Sequence, residues 1–188
     1  TKQACAAIGQ CELMYIYDKY FSDYNHNVAQ ILITKDGVEN EIRRQNIINT
    51  LNRLLELSII PIVNENDTVS VDEIEFGDND TLSATIAELV NADCLVILSD
   101  IDGLYDDDPH KNKKANLIER VTEITPEIVA LASGKGSEFG TGGMTTKIHA
   151  AQIAMDNNIP MVILNGEKPK KLYDVFEGKS VGTLFLKA

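Results

Sequence analysis

The sequence is poor in basic residues. Its 188 residues include 17 lysines and arginines against 29 aspartates and glutamates, which gives a formal net charge of −12 at pH 7. Proteins that bind the phosphate backbone of nucleic acids need basic patches. The composition therefore argues against a nucleic-acid partner. It leaves room for an anionic substrate, because a few local lysines and helix N-termini can hold one inside an acidic protein.

Cysteine is also scarce. The three residues Cys5, Cys11 and Cys94 show no Cys-x-x-Cys or other metal-ligand spacing. Cys5 and Cys11 lie in a helical pattern and Cys94 begins an apolar run, so we expect three buried free thiols. Free thiols are typical of a reducing compartment, and we expect a cytoplasmic protein.

Long apolar runs and several familiar motifs are missing. No stretch approaches the roughly 18 to 20 apolar residues that a membrane span needs, and no signal-peptide pattern is present, so we expect no membrane partner. The sequence lacks a P-loop, a Gly-x-Gly-x-x-Gly fingerprint and a Gly-x-Ser-x-Gly elbow. It has no initiator methionine and begins inside a helical pattern, which predicts a further segment upstream.

Short apolar runs alternate with amphipathic segments along the chain. Strand-like runs occupy residues 28–34, 59–63, 94–99, 159–164 and 181–186, and residues 71–76 alternate like a half-exposed strand or hairpin arm. Helical spacing covers residues 2–23, 40–57, 80–91, 125–133, a segment from Met144 onward, and 169–177. This alternation predicts α/β architecture: one domain over residues 1–188 with an open, mostly parallel sheet in an α/β/α sandwich.

The first helical segment carries more apolar residues than one stripe needs. Leu13, Met14 and Tyr17 follow helical spacing, and Ile8 and Ile16 widen the stripe. We therefore expect this helix to bury more than one face. A wide apolar face also indicates a subunit interface, so we expect a homo-oligomer.

The stretch "GTGGMTTK" opens the helical segment at Met144. Its glycines, Gly140, Gly142 and Gly143, allow close approach of the backbone to a ligand. The helix start offers unpaired N–H groups and the positive end of the helix dipole to an anion, and Lys147 adds a full charge one turn later. The alternative is a glycine-rich helix start with a solvated lysine.

Two further polar clusters follow predicted strands, where open α/β sheets bind ligands. "NENDTV" (64–69) and "GDND" (77–80) combine the carboxylates of Asp67 and Asp80 with amides, a set that suits a zwitterion. A metal ion or simple loops and caps are the alternatives, and Asp78 or Asp80 is the expected cap of the next helix. In "SDIDGLYDDDP", we expect Ser99 and Asp100 near a ligand and residues 106–108 to be solvated turn residues.

Together these stretches resemble the amino acid kinase family. "KQACAAIGQ", "IPIVNENDTV", "FGDNDTLSA", "SDIDGLY", "GTGGMTTK" and "VGTLF" occur in the family's order along the whole chain. Within this family, the combination of "GTGGMTTK" with "NEND" resembles the motifs of one branch. The enzymes of that branch phosphorylate the side-chain carboxylate of L-glutamate in the first step of proline synthesis.

The resemblance implies ATP as phosphoryl donor, with Mg²⁺ carried on the nucleotide, and feedback inhibition by proline. It implies that Asp67 and Asn79 hold glutamate, with Asn64 a weaker candidate. It implies that Lys147 neutralises the transferring phosphoryl group, that Asp80 orients the catalytic lysines, and that no residue binds a protein-held metal. The nucleotide would be bound by Ser99, Asp100, Thr141, Gly142, Gly143, Met144, Thr145, Thr146 and Lys147.

The chain departs from the family's pattern at both ends. The family begins with a strand that bears a lysine, then a glycine-rich turn and a Ser-Gly segment, and many members end in an RNA-binding-like domain. None of these is found here, so we expect the phosphate and glutamate sites to need residues that this chain lacks. Two alternatives stay open: a member of the same family that acts on another acid, and a non-catalytic module that binds glutamate or proline.

Overall fold

The computed structural model describes residues 2–69, 78–109, 111–132 and 143–188. Within these ranges helices and strands alternate, and the chain divides into two compact units, unit 1 (residues 1–82) and unit 2 (residues 83–188). The helices are α1 (Lys2–Ser22), α2 (Lys35–Glu39), α3 (Glu41–Glu56), α4 (Asn79–Leu89), α5 (Pro126–Ala132), α6 (Met144–Asp156) and α7 (Lys171–Phe176). The strands are β1 (Val28–Ile33), β2 (Ile60–Glu65), β3 (Leu95–Ser99), β4 (Arg120–Val121), β5 (Met161–Asn165) and β6 (Thr183–Phe185).

The predicted helices and strands that fall inside the described ranges are present, and most of their ends agree within one or two residues. The sequence pattern missed α2 and β4, which have five and two residues and are too short to show a period. The predicted strand or hairpin arm at residues 71–76 lies outside the described residues. Apolar periodicity therefore located the elements that are long enough to have an inner face.

Unit 1 is built on a parallel pair of strands. β1 and β2 pair from Val28 opposite Ile60 to Ile33 opposite Glu65, so both strands end at the same edge. α3 follows β1 and α2, and Asn40 caps it by accepting the N–H of Arg43 at 3.1 Å. Ile33 on β1 and Leu51 on α3 are among the buried apolar residues.

Unit 2 contains a four-stranded sheet in the order β3-β5-β6-β4. In the described residues every strand pairing is parallel except the antiparallel pairing of β5 with β6. The predicted α/β class with mostly parallel strands is therefore confirmed. Within the described ranges the strands form two hydrogen-bonded sheets, one in each unit. The sequence pattern did not show this division, because periodicity reports burial and not which neighbour a strand selects. The assignment of one domain to residues 1–188 stays a prediction.

The core of unit 2 lies between α6 and the sheet. All five residues of β5 are buried, and Ala150, Ala151 and Ala154 of α6 are fully inaccessible to solvent. Alanine lets a helix approach a sheet closely, and apolar burial of about 25 cal/mol per Å² stabilises the contact. The helix that begins with the "GTGGMTTK" stretch is therefore anchored firmly.

A glycine is required where the chain enters β6. Gly182 has a φ of +67°, in the left-handed region. A Cβ at this position would overlap the carbonyl oxygen of Ile163 and lie 3.1 Å from its carbonyl carbon. Gly182 therefore allows β6 to run close beside β5.

The prediction that α1 buries more than one face is wrong. The helix has 21 residues, none of which is buried in the described structure, and Ile8, Tyr15 and Tyr20 are 74%, 61% and 63% exposed. Apolar residues occur on all sides of α1, so the pattern did not distinguish the side that contacts β1 from the others. No helix in the described parts of the chain combines the length and apolarity needed to cross a membrane.

The predicted burial of the three cysteines is also wrong in two cases. Cys5 and Cys11 are exposed, because they lie on α1, while Cys94 just before β3 is half-buried. Burial raises the pKa of the Cys94 thiol above its usual value. All three thiols are free.

Candidate active site

The carboxyl ends of β3 and β5 lie side by side in unit 2. The two strands pair in parallel with Ser99 opposite Asn165, and the N–H of Gly166 donates to the carbonyl of Ser99 at 2.8 Å. The Ser99 hydroxyl donates to the Asp100 carboxylate at 3.0 Å. Two of the predicted nucleotide-binding residues therefore lie together at the edge where open α/β sheets bind ligands.

A cavity of about 600 Å³ lies against the loop that follows Asp100. Its walls come from the loop after β3, from the end of α5 at residues 130–132, and from Met144, the first residue of α6. Cavities of about 300 to 1,000 Å³ are typical of small-molecule sites. The structure therefore brings the "SDIDGLY" loop and the start of α6 to one cavity within unit 2.

The rim of this cavity is acidic. Asp106, Asp107 and Asp108 all line it, and Lys111 forms an ion pair with Asp108 at 3.2 Å. Asn116 donates both its side-chain amide and its backbone N–H to Asp106, at 2.9 and 2.7 Å. These hydrogen bonds hold the pKa of Asp106 below its usual value. Asp106 and Asp107 are exposed turn residues as predicted, whereas Asp108 is half-buried, and their loop also forms a cavity wall.

α6 begins at a residue with no capping side chain. Gly143 is the N-cap, in an extended conformation, and its carbonyl accepts the Thr146 hydroxyl at 2.7 Å. The Thr145 hydroxyl donates to the carbonyl of Ala132 at 3.3 Å, which links α6 to α5. A helix start of this kind is suited to bind an anion. Thr141 and Gly142, which precede it, lie outside the described residues.

Lys147 is buried, with 9% of its surface exposed, and it is the only buried charged residue in the described ranges. Lysine is rarely buried unless another group compensates its charge. Lys147 lies one turn into α6, on a helix that is packed into the core. It is therefore not the solvated lysine of the alternative interpretation.

Unit 1 carries the first of the predicted acceptor residues at the end of β2. Asn64 is half-buried and donates its side-chain amide to the Gln10 side chain at 3.2 Å, while its Oδ1 accepts the N–H of Glu65 at 3.0 Å. Asp67 is exposed, two residues beyond the strand. The N–H of Asn66 donates to the carbonyl of Ile33 at 2.9 Å, so this loop is tied to the end of β1.

The second group of predicted acceptor-site residues lies at the start of α4. Asp78 caps the helix: its carboxylate accepts the N–H of Thr81 at 2.7 Å and the Thr81 hydroxyl at 3.0 Å. Of the two caps expected from the sequence, the structure selects Asp78. Asn79 is exposed and Asp80 is half-buried in the first turn. The structure therefore assigns the cap to Asp78 alone, and the orienting role of Asp80 stays a prediction.

Among residues 2–69, 78–109, 111–132 and 143–188, no group of three His, Cys, Asp or Glu side chains is arranged to hold a metal ion. The residues predicted to bind the acceptor belong to unit 1, and the described residues predicted to bind the nucleotide belong to unit 2. Within each unit, the predicted residues cluster at strand ends and helix starts.

Two polar residues that sequence analysis did not select support the predicted ones. Gln10 on α1 contacts Asn64, and in the described part of the chain its Nε2 is buried without a hydrogen-bond partner. Asn165 is 8% exposed and its side-chain amide donates to the Asp100 carbonyl at 3.5 Å. The position of Asn165 at the end of an apolar strand could have identified it as a candidate site residue. Nothing in the sequence around Gln10 indicates a role, apart from the motif "KQACAAIGQ" that contains it.

A helix with an uncapped start and a buried lysine, beside a cavity at the strand ends, is typical of α/β proteins that bind phosphorylated ligands. The sequence model of the amino acid kinase family matches residues 1–165. The chain belongs to this family, and the family predicted from its motifs is confirmed.

Relatives with assigned names agree with this assignment. Glutamate 5-kinase of Clostridium perfringens is 55% identical over 189 residues, which cover 98% of this chain and 70% of that protein. Glutamate 5-kinase of Enterococcus faecalis is 50% identical over 190 residues, which cover 99% and 70%. Among solved structures, carbamate kinase from Giardia lamblia bound to AMP-PNP superposes with a TM-score of 0.68 at 19% identity, over 99% of this chain and 73% of that one. This last similarity establishes the fold.

Proposed function

We propose that this protein is a glutamate 5-kinase, which transfers the γ-phosphoryl group of ATP to the side-chain carboxylate of L-glutamate and forms L-glutamyl 5-phosphate, the first step of proline biosynthesis. The observation that carries the proposal is the buried Lys147 one turn into a helix that starts at Gly143. Family membership supports kinase chemistry, and the named relatives support glutamate as the acceptor. The decisive assay is ADP release in the presence of glutamate.

The nucleotide is proposed to bind in unit 2. Its phosphates would lie at the start of α6, where Gly143, Met144 and Thr145 present backbone N–H groups and the helix dipole. Thr146 would complete this first turn, and its N–H donates to the Gly143 carbonyl at 3.2 Å. Its nucleoside would enter the cavity of about 600 Å³, whose acidic rim suits hydroxyl and amino donors better than phosphate. Ser99 and Asp100 would bind between these regions, and Thr141 and Gly142 would extend the phosphate site.

Glutamate is proposed to bind to the residues of unit 1. The carboxylate of Asp67 would pair with the ammonium group of glutamate, and Asn79 would hydrogen-bond to a carboxylate. Asn64 is the weaker candidate. Its amide is already held by Gln10 at 3.2 Å, so its orientation is fixed and it would offer only its remaining hydrogen-bonding capacity.

The reaction needs charge neutralisation and alignment more than proton transfer. The side-chain carboxylate of glutamate has a pKa near 4.3, so it is ionised at neutral pH and needs no general base. Lys147 would neutralise negative charge on the transferring phosphoryl group in a buried setting, where such contacts are strong. Asp80, in the first turn of α4, would orient the catalytic lysines. Mg²⁺ carried on ATP would neutralise further phosphate charge.

Three further properties belong to this proposal: a cytoplasmic location, assembly into a homo-oligomer and inhibition by proline. The exposed apolar side chains of α1, among them Ile8, Tyr15 and Tyr20, support a contact between subunits, because a monomer seldom exposes so many large apolar groups on one helix. The free cysteines support the cytoplasmic location, and the resemblance implies the inhibition by proline.

Replacing Asp67 with asparagine is expected to weaken glutamate binding and leave ATP affinity nearly unchanged. The substitution keeps the shape of the side chain and removes a charge-assisted contact worth about 1.5 to 3 kcal/mol, which corresponds to a loss of roughly 10- to 150-fold. Titration calorimetry with each ligand measures the two affinities separately.

The matched control is Asp23→Asn, at another exposed aspartate of unit 1, which should change neither affinity. Equal losses for glutamate and ATP in the Asp67 variant would contradict the assignment and would indicate a metal site or general unfolding.

A further inference from the structure

The motif "VGTLF" lies near the end of the described chain and has no part in the proposed chemistry, yet it contacts a wall of the cavity. Thr183, its central residue, is completely buried. The N–H of Leu104 donates to Thr183 Oγ1 at 2.8 Å across 79 residues of sequence. Leu104 is 2% exposed and lines the cavity. A residue of β6 therefore holds a residue of the loop that follows β3.

The contact leaves little room for movement. A Cβ at Gly103 would overlap Thr183 Oγ1 and would lie 2.9 Å from the side chain of Leu117. On the other side of the same segment, the Leu104 carbonyl accepts the N–H of Ile118 at 2.8 Å. The Leu104 backbone is thus fixed through both its N–H and its carbonyl, and only glycine at position 103 permits so close an approach to Thr183.

Thr183 is itself placed by the sheet. It pairs with Ile163 of β5 across the antiparallel ladder, and β5 is buried along its whole length. β5 also pairs with β3, whose last residue Ser99 precedes the loop. Because Thr183 is fixed in the sheet, its hydrogen bond to the Leu104 N–H also fixes the position of Leu104 in the cavity wall.

We propose that Thr183 is a positioning residue for the nucleotide: its hydroxyl holds Leu104 in the cavity wall and thereby sets the affinity for ATP. This inference rests on the proposed function insofar as the cavity takes the nucleoside of ATP. Thr183 does not line the cavity, so it acts through Leu104. Its removal should affect nucleotide binding and leave the chemical step intact.

The test compares Thr183→Val, which keeps the shape of the side chain and removes the acceptor, with Thr183→Ser, which keeps the hydroxyl. In the complete encoded protein, Thr183→Val should raise the KM for ATP and the Kd for ADP by about tenfold, since a buried N–H loses its partner. It should leave kcat and the KM for glutamate within about twofold, because the interaction is equally strong in the ground state and the transition state. Thr183→Ser should behave like the wild type.

Hydrogen exchange gives a readout that does not depend on catalysis. The Leu104 amide should exchange faster in Thr183→Val and at the normal rate in Thr183→Ser. In the wild type, ADP should slow exchange of this amide and glutamate should not. This comparison needs no variant, so an amide that ADP leaves unprotected would overturn the inference even if Thr183→Val does not fold.

The inference is overturned if Thr183→Val leaves ADP affinity unchanged, if Thr183→Ser shows the same loss as Thr183→Val, or if ADP leaves the Leu104 amide unprotected in the wild type. A failure of the proposed function looks different. If the wild type binds ADP with these effects and does not phosphorylate glutamate, the assigned acceptor is wrong and the role of Thr183 stands.

Discussion

Lys147→Ala is expected to lower kcat by about 100- to 1,000-fold, the loss seen when one preorganised charge-stabilising group is removed from an active site. The KM for glutamate should change far less. The reason is that Lys147 is buried one turn into α6, where its charge would meet the transferring phosphoryl group, and a contact made in the transition state is lost mainly from kcat. Steady-state kinetics of ADP release in the complete encoded protein measure both constants.

Two further variants separate the effect of the Lys147 charge on catalysis from an effect of the substitution on folding. Lys147→Met keeps most of the buried apolar stem and removes only the ammonium group, so it should lose as much activity as Lys147→Ala while its thermal stability stays closer to that of the wild type. Lys113→Ala removes an exposed lysine of the same unit and should change neither kcat nor thermal stability appreciably. A Lys147→Met enzyme with a kcat near that of the wild type would show that Lys147 is structural.

Gly182→Ala is expected to produce the largest loss of stability of any conservative substitution discussed here, about 4 kcal/mol or more in the free energy of unfolding, which is in the range of severe core damage. Two costs add at this position. Alanine disfavours a φ of +67° by about 1 to 2 kcal/mol, and its Cβ would overlap the Ile163 carbonyl oxygen. The overlap could be relieved only by moving β6 away from the buried strand β5.

Gly178 supplies a matched control. Its φ of +74° is also left-handed, but a Cβ there would meet nothing within 4 Å. Gly178→Ala should therefore lower the free energy of unfolding only by the cost of holding alanine in the left-handed conformation, about 1 to 2 kcal/mol. Urea denaturation of both variants measures the difference. Equal losses would show that the clash at Ile163 is absent and that β6 is not held closely against β5.

The sequence predicted the features that depend on local pattern. A continuous apolar run located β5, and period-3.6 apolar spacing located α6. The polar residues at the ends of the apolar runs placed Asn64, Ser99 and Asp100 at strand ends. The cap of α4 was narrowed to Asp78 or Asp80, because an acidic residue at a helix start has few other local roles. In each case a few neighbouring residues carry the information.

The features that the sequence did not predict depend on contacts between distant residues. The exposure of Cys5 and Cys11 was missed because α1 is apolar on several sides, so its composition does not identify the face that contacts β1. The burial of Lys147 follows from the packing of Ala150 and Ala151 against the sheet, and the cavity wall at Leu104 is held by a hydrogen bond across 79 residues. No local pattern contains such information.

The most direct test of the account is an acceptor comparison with the complete encoded protein and Mg·ATP. ADP release is measured with L-glutamate, L-aspartate, N-acetylglutamate, UMP and L-glutamine, which matches glutamate but lacks the side-chain carboxylate. Hydroxylamine is added in parallel to trap any acyl phosphate as a hydroxamate. The account predicts ADP and hydroxamate in equal amounts with glutamate, and little of either with the other acceptors. ADP release without hydroxamate, or a preference for another acceptor, would contradict it.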